Sequence, residues 1–581
     1  MRTPVYFGPE ERPLFGWLHR PDGSEVGSRE VGVVVVNPFG YEAICAHRSL
    51  RHLAERLAAA GYATLRFDCD GTGDSAGSNR DPDRVGAWTR SVHVACDALK
   101  ALANVRAVAV VGLRLGALLA ATAAQERDDV AALIALAPVT SGRRYARELK
   151  ILQGALELDP PPAGVVPDEG VQEALGFALA KETKQALGKL SLEALDPSVV
   201  PKVLVLDRDD LPTAASWVRG LKERGLDATG KEVPGYVEMV LDPHHAQVPT
   251  AMLDEAVSWL VEACPERGSA GGGGLPGQSS CVIDGVREEA VDVGDGMFGV
   301  VSSAADGTRS GRGIVLLNAG SVHRVGPNRL YVRFARRWAA AGDVVIRCDV
   351  TGIGDSPPRP GDDENVVYGS HALDDVARVV TWMRARVRRV IVVGLCSGAY
   401  HGLKAAVAGQ PIDGVVAINP LTFFYDEGEP LDARAHKVAA ATRRYGRSVR
   451  DWDKWRKVLR GEVDRGAVAR TVLRRLQTLA ERRLRDVRRA VGRPEERDLG
   501  AELEDCAKRR LPVRFVFASG DPGRPLLVDE GGSAVPKLLE TDMLGVQIID
   551  NPDHTFTQLW SHELLFAALQ VSLSEIEQAK R

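Results

Sequence analysis

The sequence has no long hydrophobic run. No segment reaches the ~18 consecutive uncharged apolar residues that a membrane-spanning helix needs, and the first ten residues, MRTPVYFGPE, lack the apolar core of a secretory signal. A net charge of −4 over 581 residues gives no overall attraction to nucleic acid. These absences predict a cytoplasmic protein with no membrane span and no nucleic-acid partner.

Cysteine is scarce and scattered. The eight cysteines form no CxxC pair and no cysteine–histidine cluster at zinc spacing. Dispersed cysteines in a chain of this size indicate a reducing compartment, and most of them are expected to be small buried residues. A phosphate-binding glycine loop in its required context is also missing. The sequence therefore predicts neither a metal site nor a cofactor.

A glycine-rich stretch divides the sequence. Residues 264–281, CPERGSAGGGGLPGQSSC, have the composition of a flexible linker. The two sides repeat each other: residues 53–77 read LAERLAAAGYATLRFDCDGTGDSAG, and residues 334–358 read FARRWAAAGDVVIRCDVTGIGDSPP. A single repeat of this length indicates two copies of one domain, which we place at residues 1–263 and 282–581.

Each copy alternates apolar runs with helical stretches. In the first copy, VGVVVV at residues 31–36 predicts a strand buried on both faces, followed by a helix over 49–60 and a strand over 63–67. The second copy repeats this order at residues 313–317, 330–341 and 344–348. Strand, helix and strand at this spacing favour parallel pairing. We therefore expect two α/β domains, each a mostly parallel sheet flanked by helices, with a helical cap.

An apolar strand runs directly into a G-x-C-x-G motif in the second copy. In VIVVGLCSGAY, Gly394 and Gly398 flank Cys396. This motif resembles the nucleophile elbow of the α/β-hydrolase superfamily, usually G-x-S-x-G, where side chains at the flanking positions would clash with a strained turn. The N-terminus of the following helix would stabilise the thiolate. The alternative is a buried structural cysteine in a glycine-rich turn.

The superfamily resemblance implies an acid and then a histidine after the nucleophile in chain order. PVRFVFASGD predicts a strand that ends in Asp521, and QIIDNPDHTF predicts a strand followed by a loop with His554. In this interpretation His554 deprotonates Cys396, and Asp521 orients the imidazole and stabilises its charge. The alternative for His554 alone is a surface or capping histidine.

The same resemblance implies an oxyanion hole. One donor would be the backbone N–H of Ser397, directly after the nucleophile. The other would come from the loop at residues 318–321, with Ala319 and Gly320 as candidates. His323 follows this loop and is expected to line the same side.

The first copy lacks a nucleophile. Its elbow, residues 112–116, reads GLRLG, and a guanidinium at Arg114 cannot attack a carbonyl at neutral pH. Asp210 and His245 align with the acid and the histidine of the second copy. Arg114 either binds a carboxylate or phosphate or, as we favour, pairs with Asp210 or another acid and holds the fold. With its DPHHAQVP loop, this degenerate copy resembles hydrolase-like proteins associated with bacterial exosortase and exopolysaccharide clusters.

A glycine-rich turn occurs in both copies. Residues 68–75 read DCDGTGDS and residues 349–356 read DVTGIGDS, which resembles the D-x-x-G-x-G-x-S turn of the same superfamily. Glycine supplies left-handed backbone conformations in such turns at no steric cost. We expect both turns to be structural.

The cap of the second copy is predicted at about residues 422–510 and is strongly basic. Residues 434–497 contain 21 Lys or Arg against 8 Asp or Glu. This segment is either a solvated arginine-rich face or a docking surface for the phosphates of coenzyme A, a phosphopantetheine arm on an acidic carrier protein, or an anionic glycan. An amphipathic helix is expected from apolar residues at helical spacing, namely Val468, Val472, Leu476, Leu479, Val487 and Val491.

A cysteine nucleophile favours acyl transfer. The thioester it forms stays activated toward alcohols and amines. The elbow resembles those of polyhydroxyalkanoate synthases, which are acyltransferases, and of dienelactone hydrolases, so it does not decide between transfer and hydrolysis. We expect an acyltransferase in a biosynthetic pathway that moves an acyl group from a coenzyme A or carrier-protein thioester to a small-molecule or glycan acceptor. The alternatives are a thioesterase or esterase with the same intermediate, and a non-catalytic carrier-binding scaffold.

Overall fold

The computed structural model describes residues 2–21, 29–195, 200–265, 277–426 and 482–580. Residues 266–276 of the predicted linker and 427–481 of the predicted basic cap, with Val468, Val472, Leu476 and Leu479, lie outside this description. Within the described part, no helix is long and apolar enough to cross a membrane.

The first unit is built on an eight-stranded sheet, with a separate hairpin formed by its seventh and eighth strands. The strands are β1 (Arg2–Phe7), β2 (Leu14–His19), β3 (Val31–Val36), β4 (Thr64–Phe67), β5 (Ala107–Leu113), β6 (Val130–Leu136), β7 (Val171–Ala174), β8 (Phe177–Ala180), β9 (Lys202–Arg208) and β10 (Asp227–Val233). The sheet order is β1-β2-β4-β3-β5-β6-β9-β10, parallel from β4 to β10.

The helices of the first unit lie between these strands. They are α1 (Tyr41–Ala59), α2 (Arg84–Ala103), α3 (Leu115–Ala124), α4 (Gly142–Ala155), α5 (Lys181–Leu187), α6 (Ala215–Glu223), α7 (Tyr236–Met239) and α8 (Thr250–Ala263), with a 3-10 turn at Leu192–Ala194. Helix α1 begins eight residues before the predicted start at residue 49. It follows Gly40, whose φ of +65° ends the preceding loop, so the chain turns into the helix at once.

The second unit has a nine-stranded sheet. Its strands are β11 (Ser280–Ile283), β12 (Val286–Asp292), β13 (Phe298–Ala304), β14 (Arg312–Leu317), β15 (Val344–Cys348), β16 (Arg389–Leu395), β17 (Gly414–Ile418), β18 (Val513–Ala518) and β19 (Leu544–Ile549). The order is β11-β12-β13-β15-β14-β16-β17-β18-β19, parallel from β15 to β19. The predicted fold class is confirmed: both sheets are mostly parallel and flanked by helices.

The helices of the second unit are α9 (Leu330–Ala340), α10 (Ala372–Arg384), α11 (Ser397–Val407), α12 (Leu499–Lys508), α13 (Gly523–Gly531), α14 (Ala534–Leu539) and α15 (Ser561–Ala579), with a 3-10 turn at Pro327–Arg329. Residues 482–490 are also helical, but Val487 and Val491 are 59% and 67% exposed. These two residues of the predicted amphipathic stripe therefore do not pack onto the described part of the chain.

Apolar runs form the central strands because a parallel sheet covered on both faces has no solvent-facing side. Val33 to Val36 in β3 are all fully buried, and so are Val390 to Val393 in β16. Parallel strands also bring their carboxyl ends to one edge of the sheet, where α/β proteins place their binding crevices. The residues that follow β14, β16, β18 and β19 therefore meet at one edge of the second sheet.

The glycine-rich turn of the first unit forms a buried contact with the second unit. The buried guanidinium of Arg329, from the second unit, donates hydrogen bonds of 2.6–2.8 Å to four backbone carbonyls of this turn, namely those of Gly71, Gly73, Ser75 and Gly77. Burial lowers the pKa of Arg329 to about 9. The turn expected to be structural is thus also the docking site for the second unit.

Buried ion pairs extend this contact. Arg324 of the second unit binds Asp74 of the first at 2.8 Å and its own Asp355 at 2.7 Å. Arg347 binds Asp74 and also Glu288, the latter at 2.8 Å. All of these side chains are at most 2% exposed, so each charge depends on its partner for stabilisation.

Candidate active site

Cys396 is the single residue between strand β16 and helix α11, at the tip of a tight turn. It follows β16, precedes α11, and has φ 58° and ψ −114°, a conformation strained for a side-chain-bearing residue. A Cβ at Gly394 would lie 2.2 Å from the backbone carbon of Gly398, and one at Gly398 would lie 2.8 Å from the Leu317 carbonyl. The half-buried thiol is therefore presented by a turn that only glycines can flank.

His554 and Asp521 meet at the same edge of the sheet. The imidazole Nδ1 lies 2.6 Å from Asp521 Oδ2, and the Asp521 side chain is fully buried. The other carboxylate oxygen accepts the Gly523 N–H at 2.8 Å. Asn419 donates to the His554 carbonyl at 2.8 Å, which ties the histidine loop to the end of β17. The ring is thus held at one nitrogen and along its backbone.

The Cys396 thiol lies beside the imidazole of His554. Burial opposes the charged imidazolium, but the Asp521 carboxylate and Cys396 outweigh it and raise the pKa of His554 well above its ordinary value of 6.5. A protonated histidine next to a cysteine is the electrostatic condition for a thiolate. The structure brings together all three residues that the sequence analysis selected for the second copy.

Tyr368 also reaches the thiol, and the sequence analysis did not identify it. Its buried ring is stacked on Tyr425 with 4.6 Å between centroids and meets Tyr400 edge-on at 5.1 Å. Burial, and then the neighbouring Cys396, raise the pKa of Tyr368 well above 10, so its hydroxyl is a neutral donor. It lies in an irregular stretch before α10, where no motif marked it.

The three residues predicted to form the oxyanion hole have different surroundings in the structure. Ser397 begins α11, so its N–H belongs to the first turn, where intrahelical acceptors are missing. Gly320 is different: its N–H donates to the Ser397 hydroxyl at 2.9 Å and is therefore already engaged in this state. Ala319 is buried in the same loop, and its carbonyl accepts the Val322 N–H at 3.1 Å.

His323, expected to line the oxyanion side, packs against the first unit. Its ring is stacked on that of His47 from the first unit, with 3.8 Å between centroids and 13° between planes. Burial lowers the pKa of His323 well below 6.5. The residue belongs to the contact between the two units.

Arg114 has the backbone conformation of a nucleophile elbow but no nucleophilic side chain. Its φ of 52° and ψ of −118° nearly equal those of Cys396. The guanidinium binds Glu42 at 2.7 Å and Glu148 at 2.5 Å, and Glu42 also accepts the hydroxyls of Tyr145 and Tyr236 at 2.7 and 3.0 Å. Arg114 is thus a buried cation in a cluster of carboxylates and phenols.

The other two residues of the degenerate site have separate surroundings. Asp210 forms its ion pair with Arg208, not with Arg114. His245 is exposed, and its ring lies 4.0 Å from that of His244. The ion pair of Asp210 with Arg208 therefore differs from the pairing with Arg114 that the sequence analysis offered.

Two family models match the chain, one in each unit. Residues 43–163 match a model described as serine aminopeptidase, S33, and residues 314–568 match one described as alpha/beta hydrolase family. The chain carries two α/β-hydrolase regions. The first match includes Arg114 where a nucleophile would stand, and the second spans Cys396 and His554.

Several solved structures are similar to slightly less than half of the chain. Est1E from Butyrivibrio proteoclasticus is 19% identical, with a TM-score of 0.35, over 45% of this chain and 99% of its own. A serine hydrolase without a lid from Xanthomonas campestris is 15% identical, with 0.30, over 45% and 93%. The Pyrococcus furiosus esterase is 16% identical, with 0.32, over 45% and 91%. No curated protein matches the sequence.

Proposed function

We propose that the second α/β-hydrolase unit is an acyltransferase that works through an acyl-Cys396 intermediate. The donor is a coenzyme A or carrier-protein thioester, and the acceptor is an alcohol or amine on a small molecule or glycan. The observation that carries the proposal is the 2.6 Å contact between His554 and Asp521 beside a cysteine at the elbow. A residue with a nucleophilic side chain, a base and an orienting acid suffices for acyl transfer.

The reaction has two halves. The Cys396 thiolate attacks the donor carbonyl, the carbon–sulfur bond of the donor breaks, and the departing thiolate takes the proton of the His554 imidazolium. In the second half His554 removes the proton of the acceptor hydroxyl or amine, which attacks the thioester carbonyl. Cys396 leaves as the thiolate beside the imidazolium, which restores the starting state.

Cysteine at this position supports transfer over hydrolysis. A thioester is more reactive toward amines and thiols than an oxygen ester, so an acyl-cysteine can be captured by a bound acceptor before water reaches it. The basic segment over residues 434–497 supports an anionic donor or acceptor, since 21 cations against 8 anions attract phosphate or carboxylate groups.

Hydrolysis of the same intermediate is the second candidate. It is favoured by the family models, both of which describe hydrolases. The two activities share Cys396 and His554 and differ only in what captures the acyl group.

The test is to incubate the protein with a panel of acyl-coenzyme A and acyl-carrier donors and to measure intact mass, with Cys396→Ala as control. We expect an acyl mass on Cys396 that disappears faster with an added alcohol or amine than in buffer. Equal loss in buffer would assign a thioesterase. Absence of any adduct and of donor consumption would favour the carrier-binding scaffold.

For the first unit we propose a non-catalytic role, because Arg114 replaces the nucleophile and is occupied by Glu42 and Glu148. The proposal keeps the domain division at residues 1–263 and 282–581. Helix α8 ends at Ala263, as the first boundary requires, whereas β11 begins at Ser280, so the second unit starts two residues inside the predicted linker. The dispersed cysteines support a cytoplasmic location.

A further inference from the structure

The loop that carries His554 is held from outside its own unit. At its start, Asn551 donates from Nδ2 to the carbonyl of Pro160 at 2.8 Å. At its end, the Leu559 N–H donates to Glu173 Oε1 at 3.0 Å. Pro160 and Glu173 belong to the first unit, more than 380 residues away in sequence. Both ends of the histidine loop are therefore anchored to the degenerate copy.

A third contact reaches the middle of the loop. The turn of the hairpin β7–β8 contains Gly176, where a Cβ would lie 2.1 Å from Asn328 Oδ1. Asn328 is buried, and its Nδ2 donates to the Phe556 carbonyl at 3.2 Å and the Thr555 carbonyl at 3.4 Å. Asn328 is thus wedged between the hairpin turn and the two residues that follow His554.

Hydrogen bonds within the loop hold the residues on either side of His554 together. Asp553 accepts the Thr557 N–H and the Thr557 hydroxyl, both at 2.6 Å, and closes a compact turn around His554. When a compact turn shifts at its anchors, the side chain at its tip moves with it. Movement of a catalytic group by about 1 Å can cost 10²-fold in rate.

We propose that the hairpin β7–β8 of the first unit is a positioning element for His554, and that the degenerate copy is in this way part of the catalytic apparatus of the second. The proposal rests on the proposed function of Cys396 and His554. It assigns Glu173 and Gly176 to the support of the histidine loop. A nucleophile-free copy is retained, in this view, because the active site next to it is incomplete without its hairpin.

The test compares two glycines of the same hairpin region. Gly176→Ala places a methyl group against Asn328, whereas Gly170→Ala has the same backbone cost, with φ of +83° against +88°, and meets nothing within 4 Å. The measurement is the rate of iodoacetamide alkylation of Cys396, mapped by peptide mass, from pH 5.5 to 9. We expect Gly176→Ala to be slower than Gly170→Ala by about tenfold at pH 6.5, converging at high pH.

A second pair keeps the test decisive if Gly176→Ala fails to fold, which circular dichroism would reveal. Glu173→Ala removes the acceptor for the Leu559 N–H, whereas Glu173→Gln keeps a carbonyl oxygen at that position. We expect slower alkylation in the first variant and rescue in the second. Equal profiles for all four variants and the wild type would overturn the positioning role.

The wild-type profile separates this inference from the proposed function. If wild-type Cys396 reacts no faster at pH 6.5 than an ordinary thiol, for which the pKa is ~8.5, the Cys396–His554 pair fails, and the positioning role fails with it. If wild-type Cys396 is activated and Gly176→Ala matches Gly170→Ala, the positioning role alone fails.

Discussion

Cys396 and Arg114 occupy equivalent backbone positions in the two units but have different neighbouring side chains. Each follows a buried strand with a φ near +55° and opens a helix. Cys396 faces an imidazole whose pKa is raised, while Arg114 faces two carboxylates. The elbow is therefore a way of presenting a side chain, and the neighbouring residues decide whether that side chain reacts.

At Arg114 we expect a structural role only. Arg114→Ala leaves the partly buried Glu42 with two phenols and no cation, and an unsatisfied group of this kind costs about 1–3 kcal/mol. Chemical denaturation should show this loss, with Arg114→Lys losing less. The rate of Cys396 alkylation should stay unchanged. An alkylation defect without loss of stability would instead indicate that Arg114 acts in the reaction.

Residue types alone selected three residues that the structure places at one edge of the sheet, but not their surroundings. Cys396, Asp521 and His554 stand out because glycines and strand ends mark them. Tyr368 does not stand out, and for Gly320, a predicted oxyanion candidate, the hydrogen bond to the Ser397 hydroxyl was not foreseen. Both contacts depend on how distant loops fold against the elbow. The partners of Arg114 were missed for the same reason, since Glu42 lies 72 residues earlier in the chain and Glu148 lies 34 residues later.

Among the elements, the strand–turn–helix around Cys396 is the one most strictly determined by its sequence. Gly394→Ala would place a Cβ 2.2 Å from the Gly398 backbone, which neither the strand nor the helix can relieve without moving. We expect a loss of about 3 kcal/mol or more in unfolding free energy. Chemical denaturation measures it.

Gly402→Ala, in the helix α11 that follows the turn, is the control. Its Cβ would meet a Val392 methyl at 3.1 Å and a Val415 methyl at 3.5 Å, both on side chains. Alanine is favoured over glycine inside a helix by up to about 1 kcal/mol. We expect stability within about 1 kcal/mol of the wild type. Similar losses for both variants would show that helix packing in general, and not the elbow turn, is sensitive.

Strands and helices with strong patterns were predictable, and short cap elements were not. The run VGVVVV predicted β3 at its observed bounds. The hairpin β7–β8 has only four residues in each strand, too few for an alternation to be distinguished from loop sequence. Its apolar residues Ala174, Phe177 and Leu179 pack into the core of the first unit, and its turn meets Asn328 of the other unit, 152 positions away in the sequence.

At the scale of the whole molecule, the contact between the two units combines buried charge with an apolar cluster formed by Tyr6, Phe15, Trp17, Phe298 and Val300. Asp74 is fully buried between Arg324 and Arg347, both from the second unit. Nothing in the sequence separates these residues from ordinary polar loop residues, because their burial exists only when the two units meet. The relative placement of the units was therefore beyond prediction, although their separate folds were not.

Asp74→Asn should weaken the contact between units strongly. It removes the charge that faces two buried guanidinium groups, at a cost of about 3–5 kcal/mol. We expect a lower midpoint of chemical denaturation and, since the two units loosen, faster proteolysis in the 266–276 region. Asp81→Asn, on a half-exposed pair with Arg12 within the first unit, is the control and should change little.

Buried histidines predict a loss of stability in mild acid. Burial lowers the pKa of His19 and His562 to about 3 and that of His401 to about 4. In the unfolded chain these groups titrate near 6.5, so below that pH the unfolded state binds more protons and stability falls. Burial lowers the pKa of His323 as well, so four histidines act in this direction. The raised pKa of His554 adds stability that is already fully present below pH 6.5 and does not change the trend there.

The measurement for this prediction is the melting temperature between pH 7.5 and 4.5. We expect a continuous decrease below pH 6.5 as the unfolded histidines take up protons. A melting temperature that stays constant or rises over this range would contradict the burial of neutral histidines.

The most direct test of the central claim is a stopped-flow reaction with p-nitrophenyl acetate, followed by peptide mapping of the acetylated protein. If Cys396 is a nucleophile activated by His554 and Asp521, the wild type releases about one equivalent of p-nitrophenol per chain in a rapid burst. The acetyl group is then found on Cys396, and the burst is absent in Cys396→Ala and in His554→Ala. A wild type without a burst, or acetyl groups on residues other than Cys396, would contradict the account.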